Sequence, residues 1–156
     1  MVNTLTLPTA ALREILQTQG LVPGLQFLDQ RVAHRCTAIS HLSNMTLRNI
    51  YLYDKQHASL PDSLKATPLT DSFCQHAIRD GAFLTSDSNA EACLDDNPFG
   101  GVVMASHGVP VLDHAGALFG SFCHFDHISQ PFPDEEFAFL QKAAQHFSPY
   151  LRPTAT

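Results

Sequence analysis

The sequence predicts an α+β domain, an α/β sandwich on a central antiparallel sheet, and three patterns carry that prediction. Residues 45–53, MTLRNIYLY, alternate in the manner of a half-buried strand. Residues 107–126, HGVPVLDHAGALFGSFCHFD, read as two apolar strands joined by a turn. Residues 134–151 open on Asp134, Glu135 and Glu136, which suit the positive end of a helix, and then repeat apolar side chains at helical spacing. Short turns between strands demand antiparallel pairing, and helices at both ends and in the middle can cover both faces of a sheet.

The chain has 156 residues, enough for one domain with a core and too few for two. With 44% apolar and 15% charged residues, its composition is that of a globular chain rather than a disordered one. The net charge is −6 and the nine Lys and Arg are scattered, so neither nucleic acid nor an anionic membrane surface is an expected partner. The first residues lack a basic region followed by a long apolar run, and no stretch approaches a membrane span. Cys36, Cys74, Cys93 and Cys123 make no CxxC pair, which argues against a zinc knuckle or a thioredoxin motif. Reduced thiols in a cytoplasmic protein are the expectation. Nine histidines are many, but no HExxH or His-x-His pattern occurs, so no metal site is expected. A pH response through them near neutrality is a further expectation.

Along the chain, residues 1–8 read as loose and 9–19 as a helix capped by Thr9 and stopped by Gly20, with Leu12, Ile15 and Leu16 on one face. Val22-Pro23-Gly24 reads as a turn, and 25–34 as a second helix with Leu25, Leu28 and Val32 on its stripe. Strands over 36–42 and 45–53 pair through a Ser43-Asn44 turn. Leu47, Asn49, Tyr51 and Tyr53 then share one face, against Arg48, Ile50 and Leu52. Residues 54–68 read as a loop, 70–80 as a helix with Phe73, Ala77 and Ile78 inward, and 82–86 as a short strand. Residues 87–101 read as a long irregular segment with a helical turn expected at 90–95, and a loop of that length in a compact domain is usually functional. In the hairpin the turn is 113–116, with Gly116 free to take positive φ. Leu118, Gly120, Phe122 and His124 then oppose Ala117, Phe119, Ser121, Cys123 and Phe125, and both faces are apolar enough to be covered. The last helix carries Phe137, Leu140, Ala144, Phe147 and Leu151 on one stripe.

From about residue 24 to 151 these pieces, in order, resemble the GAF family of small-molecule sensor domains. LRNIYLYD is similar to its second strand, PLTDSFCQHAI to its middle helix, and SDSNAEACLDDNP to its Asp-containing loop. GVPVLDHAGALFGSFCHFD is similar to its Val-Pro hairpin, and PDEEFAFLQKAA to its closing helix. The resemblance implies about six antiparallel strands, terminal helices on one face, and a ligand pocket on the other, roofed by the middle helix and the loop 87–106. It also implies pairing of two copies through the terminal helices, and the aromatics Phe137, Phe139, Phe147 and Tyr150 exceed what one face would absorb. The chain is thereby divided into an N-terminal helical extension (1–23), a GAF-like domain (24–152) and a tail (153–156).

Within that frame Asp87, Asn97, Ser106 and His107 are the expected polar groups of the pocket. Phe73 and Phe99, with Phe119 or Phe122, are its expected walls, and Cys74 and Cys123 complete the ligand-binding set. Asp87 and Asn97 are equally suited to bracing the loop through side-chain-to-backbone hydrogen bonds. The expected function is that of a stand-alone, non-catalytic sensory domain, dimeric, with an unidentified small-molecule ligand and no named cofactor.

Two alternatives attach to the cysteines. One GAF-like enzyme family reduces free methionine-R-sulfoxide through thiols, and Cys74 and Cys93 occupy similar places. The loop spacing differs, a cysteine in 54–68 is missing, and Cys123-His124-Phe125 stands where that family has an acidic pair. Cys123-His124 is similar to the pair that anchors linear tetrapyrroles in photoreceptor members, but in a strand the two side chains oppose each other. The cyclic-nucleotide signature of the family is not present. A ligand-free interaction module is the remaining alternative.

Overall fold

The computed structural model describes residues 6–57, 65–94, 97–100 and 102–153. Helices α1 (Thr6–Thr18) and α2 (Leu21–Asp29) lead into strands β1 (Cys36–Ser43), β2 (Thr46–Asp54) and β3 (Ala66–Pro68). Helix α3 (Cys74–Asp80) and strand β4 (Phe83–Thr85) follow, then the hairpin β5 (Ala105–Leu112) and β6 (Leu118–Asp126), and finally α4 (Asp134–Phe147). The six strands form one antiparallel sheet in the order β3-β2-β1-β6-β5-β4. The chain is thus the expected α+β sandwich, and the hairpin and the last helix fall where the sequence puts them.

One face of the sheet is covered by α1, α2 and α4. Leu12, Leu16, Leu25 and Leu28 meet Phe139, Leu140 and Phe147 over Ile39, Val109 and Phe122 of the sheet, all buried. The expected extension, residues 1–23, therefore contributes Leu12 and Leu16 to the same core. The second face carries a separate apolar cluster, Cys36, Ala38, Phe73, Leu94, Val103, Cys123 and Phe125.

Several expectations are corrected. Helix α1 begins at Thr6, so the loose segment is shorter than 1–8, and its residues 1–5 lie outside the described ones. Val22-Pro23-Gly24 is no turn but lies inside α2. Pro23 sits in the first turn, where its missing N–H is not needed. Gly24 lets two helices close on each other: a β-carbon there would stand 2.7 Å from Leu16 Cδ2 and 3.0 Å from Phe147 Cζ. Helix α2 stops at Asp29 rather than 34. The β1–β2 turn is Asn44-Met45, one residue later than expected, with φ of 52° and 59°. Two central residues at positive φ suit the right-handed twist of a two-residue hairpin. The segment 54–68 is not all loop, because Ala66–Pro68 pairs with Thr46–Arg48 as the sixth strand. The helix expected over 70–80 is a short 3-10 turn, Leu69–Asp71, followed by α3. Likewise the last helix ends at Phe147 and tightens into the 3-10 turn Ser148–Tyr150.

Two bulges matter most. Ile39 pairs with Tyr51 but Ser40 pairs with Asn49, so Ile50 is an extra residue in β2. The strict alternation read from 47–53 therefore fails: Leu47 and Asn49 face one way, while Tyr51 and Tyr53 join the helix-covered core and Leu52 the opposite cluster. A second shift, where Val111 pairs with Gly120 and Leu112 with Leu118, leaves Phe119 unpaired and turns it into the helix-side core, stacked on His41. Phe119 and Phe122 thus belong to the helix side and neither is a pocket wall.

Candidate functional site

The face away from the terminal helices holds a cavity of about 80 Å³. Its floor comes from the sheet: Ser40 of β1, Leu47 and Asn49 of β2, Thr67 of β3, Ser106 of β5, and Cys123 and Phe125 of β6. Its roof is the entry to α3, Ser72, Phe73 and Cys74, with Phe99 and Val103 from the loop. The bulge at Ile50 is what aims Leu47 and Asn49 into this space. Ser40 Oγ donates to Asn49 Oδ1 at 2.6 Å, which fixes the amide at the cavity wall. Ser72 Oγ donates to the Leu69 carbonyl and accepts from the Gln75 N–H, so it shapes the roof. The volume is below the several hundred Å³ of sites for drug-sized ligands, and so suits a compact molecule.

Of the eight residues expected at the site, Phe73, Cys74, Phe99, Ser106 and Cys123 line the cavity together. Asn97 and Asp87 lie outside the lining and brace the loop. Asn97 Oδ1 accepts from the Phe99 N–H at 2.9 Å, holding Phe99 over the cavity, and Asp87 Oδ1 accepts from the Asn89 N–H at 3.0 Å. His107 alternates with Ser106 and therefore points to the opposite side of the sheet. Cys123 and His124 oppose each other as their strand requires. Cys93 is exposed in the short turn Ala92–Leu94 and does not line the cavity. Ser40, Asn49 and Thr67 were not expected here. Serine in an apolar strand is a signal that reading could have used, whereas the bulge and the short β3 hid the other two.

The cavity thiols are electrostatically unlike each other. At Cys74 the neighbouring Cys123 thiol outweighs burial and holds the thiol below its ordinary value. At Cys123 the neighbouring Cys74 thiol and burial both push the thiol well up. Cys36, buried nearby beside Asp54, is pushed up to about 12, chiefly by burial.

His107 belongs to a second constellation, between the sheet and the end of α2. His34, His107 and His124 are each at most 1% exposed. His34 Nε2 and His107 Nδ1 share a hydrogen bond of 2.8 Å, His107 Nε2 meets Ser86 Oγ at 3.3 Å, and Phe132 stacks on His107. Thr37 Oγ1 donates to Asp29 Oδ2 at 2.7 Å, so the 2.6 Å contact with His124 Nδ1 has the imidazole as donor. Lys55 Nζ in turn bonds Asp29 Oδ1 and the carbonyls of Asp29, Val32 and His34. Burial holds all three imidazoles neutral: His34 is lowered to about 4, His107 to about 3, and His124 well below its ordinary value. The expectation of a response near neutrality is therefore corrected for these three. Among the described residues no group of three or more His, Cys, Asp or Glu is arranged to hold a metal ion. No helix among them is long and apolar enough to cross a membrane.

No family model and no curated protein matches the sequence. The likeness is in three dimensions. The GAF domain of an Acinetobacter phosphoenolpyruvate-protein phosphotransferase matches with a TM-score of 0.72 at 13% identity, over 95% of this chain and 92% of that one. The free methionine-R-sulfoxide reductase of Neisseria meningitidis, solved with its substrate, matches with a TM-score of 0.71 at 12% identity, over 95% of this chain and 90% of that one. The chromophore-binding domain of Stigmatella aurantiaca phytochrome P1 gives 0.72 at 11% identity, over 96% of this chain and 60% of that one. The chain has the GAF fold. Its structural neighbours include both GAF domains and methionine-R-sulfoxide reductases.

Proposed function

We propose that this chain is a small-molecule-binding sensory domain that is not a catalyst of metabolic turnover. The observation that carries the reading is the cavity beneath α3: apolar walls from Phe73, Phe99 and Phe125, with directed polar groups from Ser40, Asn49, Thr67 and Ser106. Mostly apolar lining with a few aimed hydrogen-bonding groups is the general form of a ligand site. The loop that braces Phe99 through Asn97 is the element whose order an occupant would change. The GAF domains among the structural neighbours support the same reading.

The test is to purify the native protein, denature it and identify released small molecules by mass spectrometry, beside a Ser106→Leu variant whose added side chain fills the cavity. A stoichiometric compound released from wild type and lost from Ser106→Leu is the expected result. A compound released equally from both would place binding elsewhere.

Pairing of two copies through the terminal helices is part of the proposal, on a narrower basis than the aromatic content suggests. Phe139 and Phe147 are fully buried within one chain, and Val22 and Tyr150 are the large apolar side chains left exposed on these elements among the described residues. Sedimentation velocity is expected to show a concentration-dependent dimer that Val22→Glu abolishes. A concentration-independent monomer would end the pairing proposal and leave the ligand reading intact.

A further inference from the structure

We propose that the occupant of the cavity beneath α3 is a compact, uncharged molecule with an apolar body and a carbonyl or hydroxyl at its edge, and that ionised compounds, free amino acids and phosphate esters among them, are excluded. This deepens the ligand reading and rests on it. The first observation is the lining. Its polar groups, Ser40, Asn49, Thr67, Ser72 and Ser106, are hydroxyls and an amide, two thiols join them, and the rest is apolar. Among the described residues no Asp, Glu, Lys, Arg or His lines the cavity. Charged side chains of the neighbouring elements are spent elsewhere. Arg79 and Asp80 pair with each other at the exposed end of α3, and Arg35 pairs with Asp54 at the end of β2 away from Leu47 and Asn49. Arg48 is exposed.

The second observation lies on the sheet beside the cavity. The Thr85 and Ser121 hydroxyls are buried and have no hydrogen-bond partner among the described residues. Thr85 stands directly across from Ser106, and Ser121 from Ser40. Side chains so placed share one face of the sheet, with β-carbons about 5 Å apart. Each of these two lining serines is thus within a rotamer change of an unspent hydroxyl. A buried hydroxyl without a partner is costly. A neutral carbonyl or hydroxyl held by Ser40 or Ser106 recruits it into a hydrogen-bonded chain that carries no net charge.

Charge decides what this space accepts. An ion that enters gives up its water, and that loss is repaid only by an opposite charge or by several converging hydrogen bonds. The lining offers neither. Ser40 already donates to Asn49 and Ser72 to the Leu69 carbonyl, so few donors remain to surround an anion. A cation would meet the same hydroxyls with no carboxylate behind them. A free amino acid such as methionine sulfoxide carries both charges and is expected not to bind. Size narrows the class further. One water needs roughly 10–15 Å³ of such space, so the cavity of about 80 Å³ takes a molecule of roughly six to eight non-hydrogen atoms.

The experiment titrates a panel of compact isosteric pairs into the isotope-labelled full chain at neutral pH and reads the backbone amide shifts of Ser40, Phe99, Ser106 and Cys123. Isobutyramide with isobutyrate, and benzyl alcohol with benzylammonium, supply the anionic and cationic comparisons, and free methionine sulfoxide is titrated beside them. The neutral member of at least one pair is expected to move these peaks, and its ionised partner to bind at least about a hundredfold more weakly. At the concentration that half-saturates the neutral compound, such a partner fills about 1% of the sites and moves no peak. Isobutyrate or benzylammonium moving the same peaks as strongly as its neutral isostere would overturn the proposal and leave the ligand reading standing. Methionine sulfoxide moving them would overturn it likewise. If no compound of the panel moves them, the ligand reading falls and takes this inference with it. Every comparison is made in the native chain, so none depends on the folding of a variant.

Discussion

Lowering the pH from neutral to about 4 is expected to destabilise this domain by on the order of 3 kcal/mol for each imidazole of the buried His34–His107–His124 cluster that stays neutral in the fold. The sign follows from proton counting. An imidazole in the unfolded chain takes up its proton near 6.5, whereas His34 in the fold waits until about 4 and His107 until about 3. Between those values the unfolded state holds protons that the folded state does not, so stability is complete above about 6.5 and falls as the pH falls. Asp29 works the other way. Burial raises its pKa, so its protonation at low pH favours the fold, but it is one group against three.

Urea melts across this range will show the slope. His107→Gln is the informative variant, because an amide can still meet Ser86 and His34 but cannot titrate, and it is expected to remove about one proton from the slope. Stability that is flat from neutral down to about pH 5, or a slope unchanged in His107→Gln, would contradict the assignment.

Gly120→Ala is expected to cost more than about 4 kcal/mol and to yield little soluble protein. A β-carbon at 120 would lie 1.9 Å from the Ser40 carbonyl oxygen and 3.1 Å from the Leu42 nitrogen. Both are backbone atoms, so no rotamer change relieves the clash, and β1 must move off β6 where His41 pairs with Gly120. That displacement would open the sheet beside Ser40, on the cavity floor. Gly116→Ala is the matched control. Gly116 has φ of 85° in the β5–β6 turn and nothing within 4 Å of an added β-carbon, so only the backbone conformation is penalised, by about 1 kcal/mol. Expression and urea midpoints of the two variants measure the difference. A Gly120→Ala protein as stable as Gly116→Ala would show that the β1–β6 contact is not as close as described.

Most of the architecture was legible because it follows periodicity. The hairpin, the acidic start of α4 and the order of elements read directly from alternation, helix-end charge and turn residues. The sheet bulges were not legible, since the signal for one is a single extra residue in an otherwise regular run. Ile50 and Phe119 are ordinary strand residues, and only the pairing across the sheet reveals that they are unpaired. That is why Asn49 and Leu47 were grouped with Tyr51 and Tyr53, and why Asn49 was missed at the cavity. Strand β3 was hidden by its three-residue length and its proline.

At the site, parity within a strand settled two residues in opposite ways. Ser106 and Cys123 face the cavity, and their neighbours His107 and His124 go to the histidine cluster. The sequence shows that adjacent strand residues diverge, but not which face carries the cavity. Cys74 and Cys123 reach the same cavity from positions 49 apart, on a helix and a strand, and nothing local announces it.

The proposed sensory function requires that the cavity beneath α3 take a small molecule. A thermal-shift screen of a metabolite panel against wild type and Ser106→Leu in parallel tests it most directly. At least one compound is expected to raise the wild-type midpoint in a saturable way and to leave Ser106→Leu unmoved. A panel that shifts neither protein, or a compound that shifts both equally, would contradict it and favour a closed interaction module.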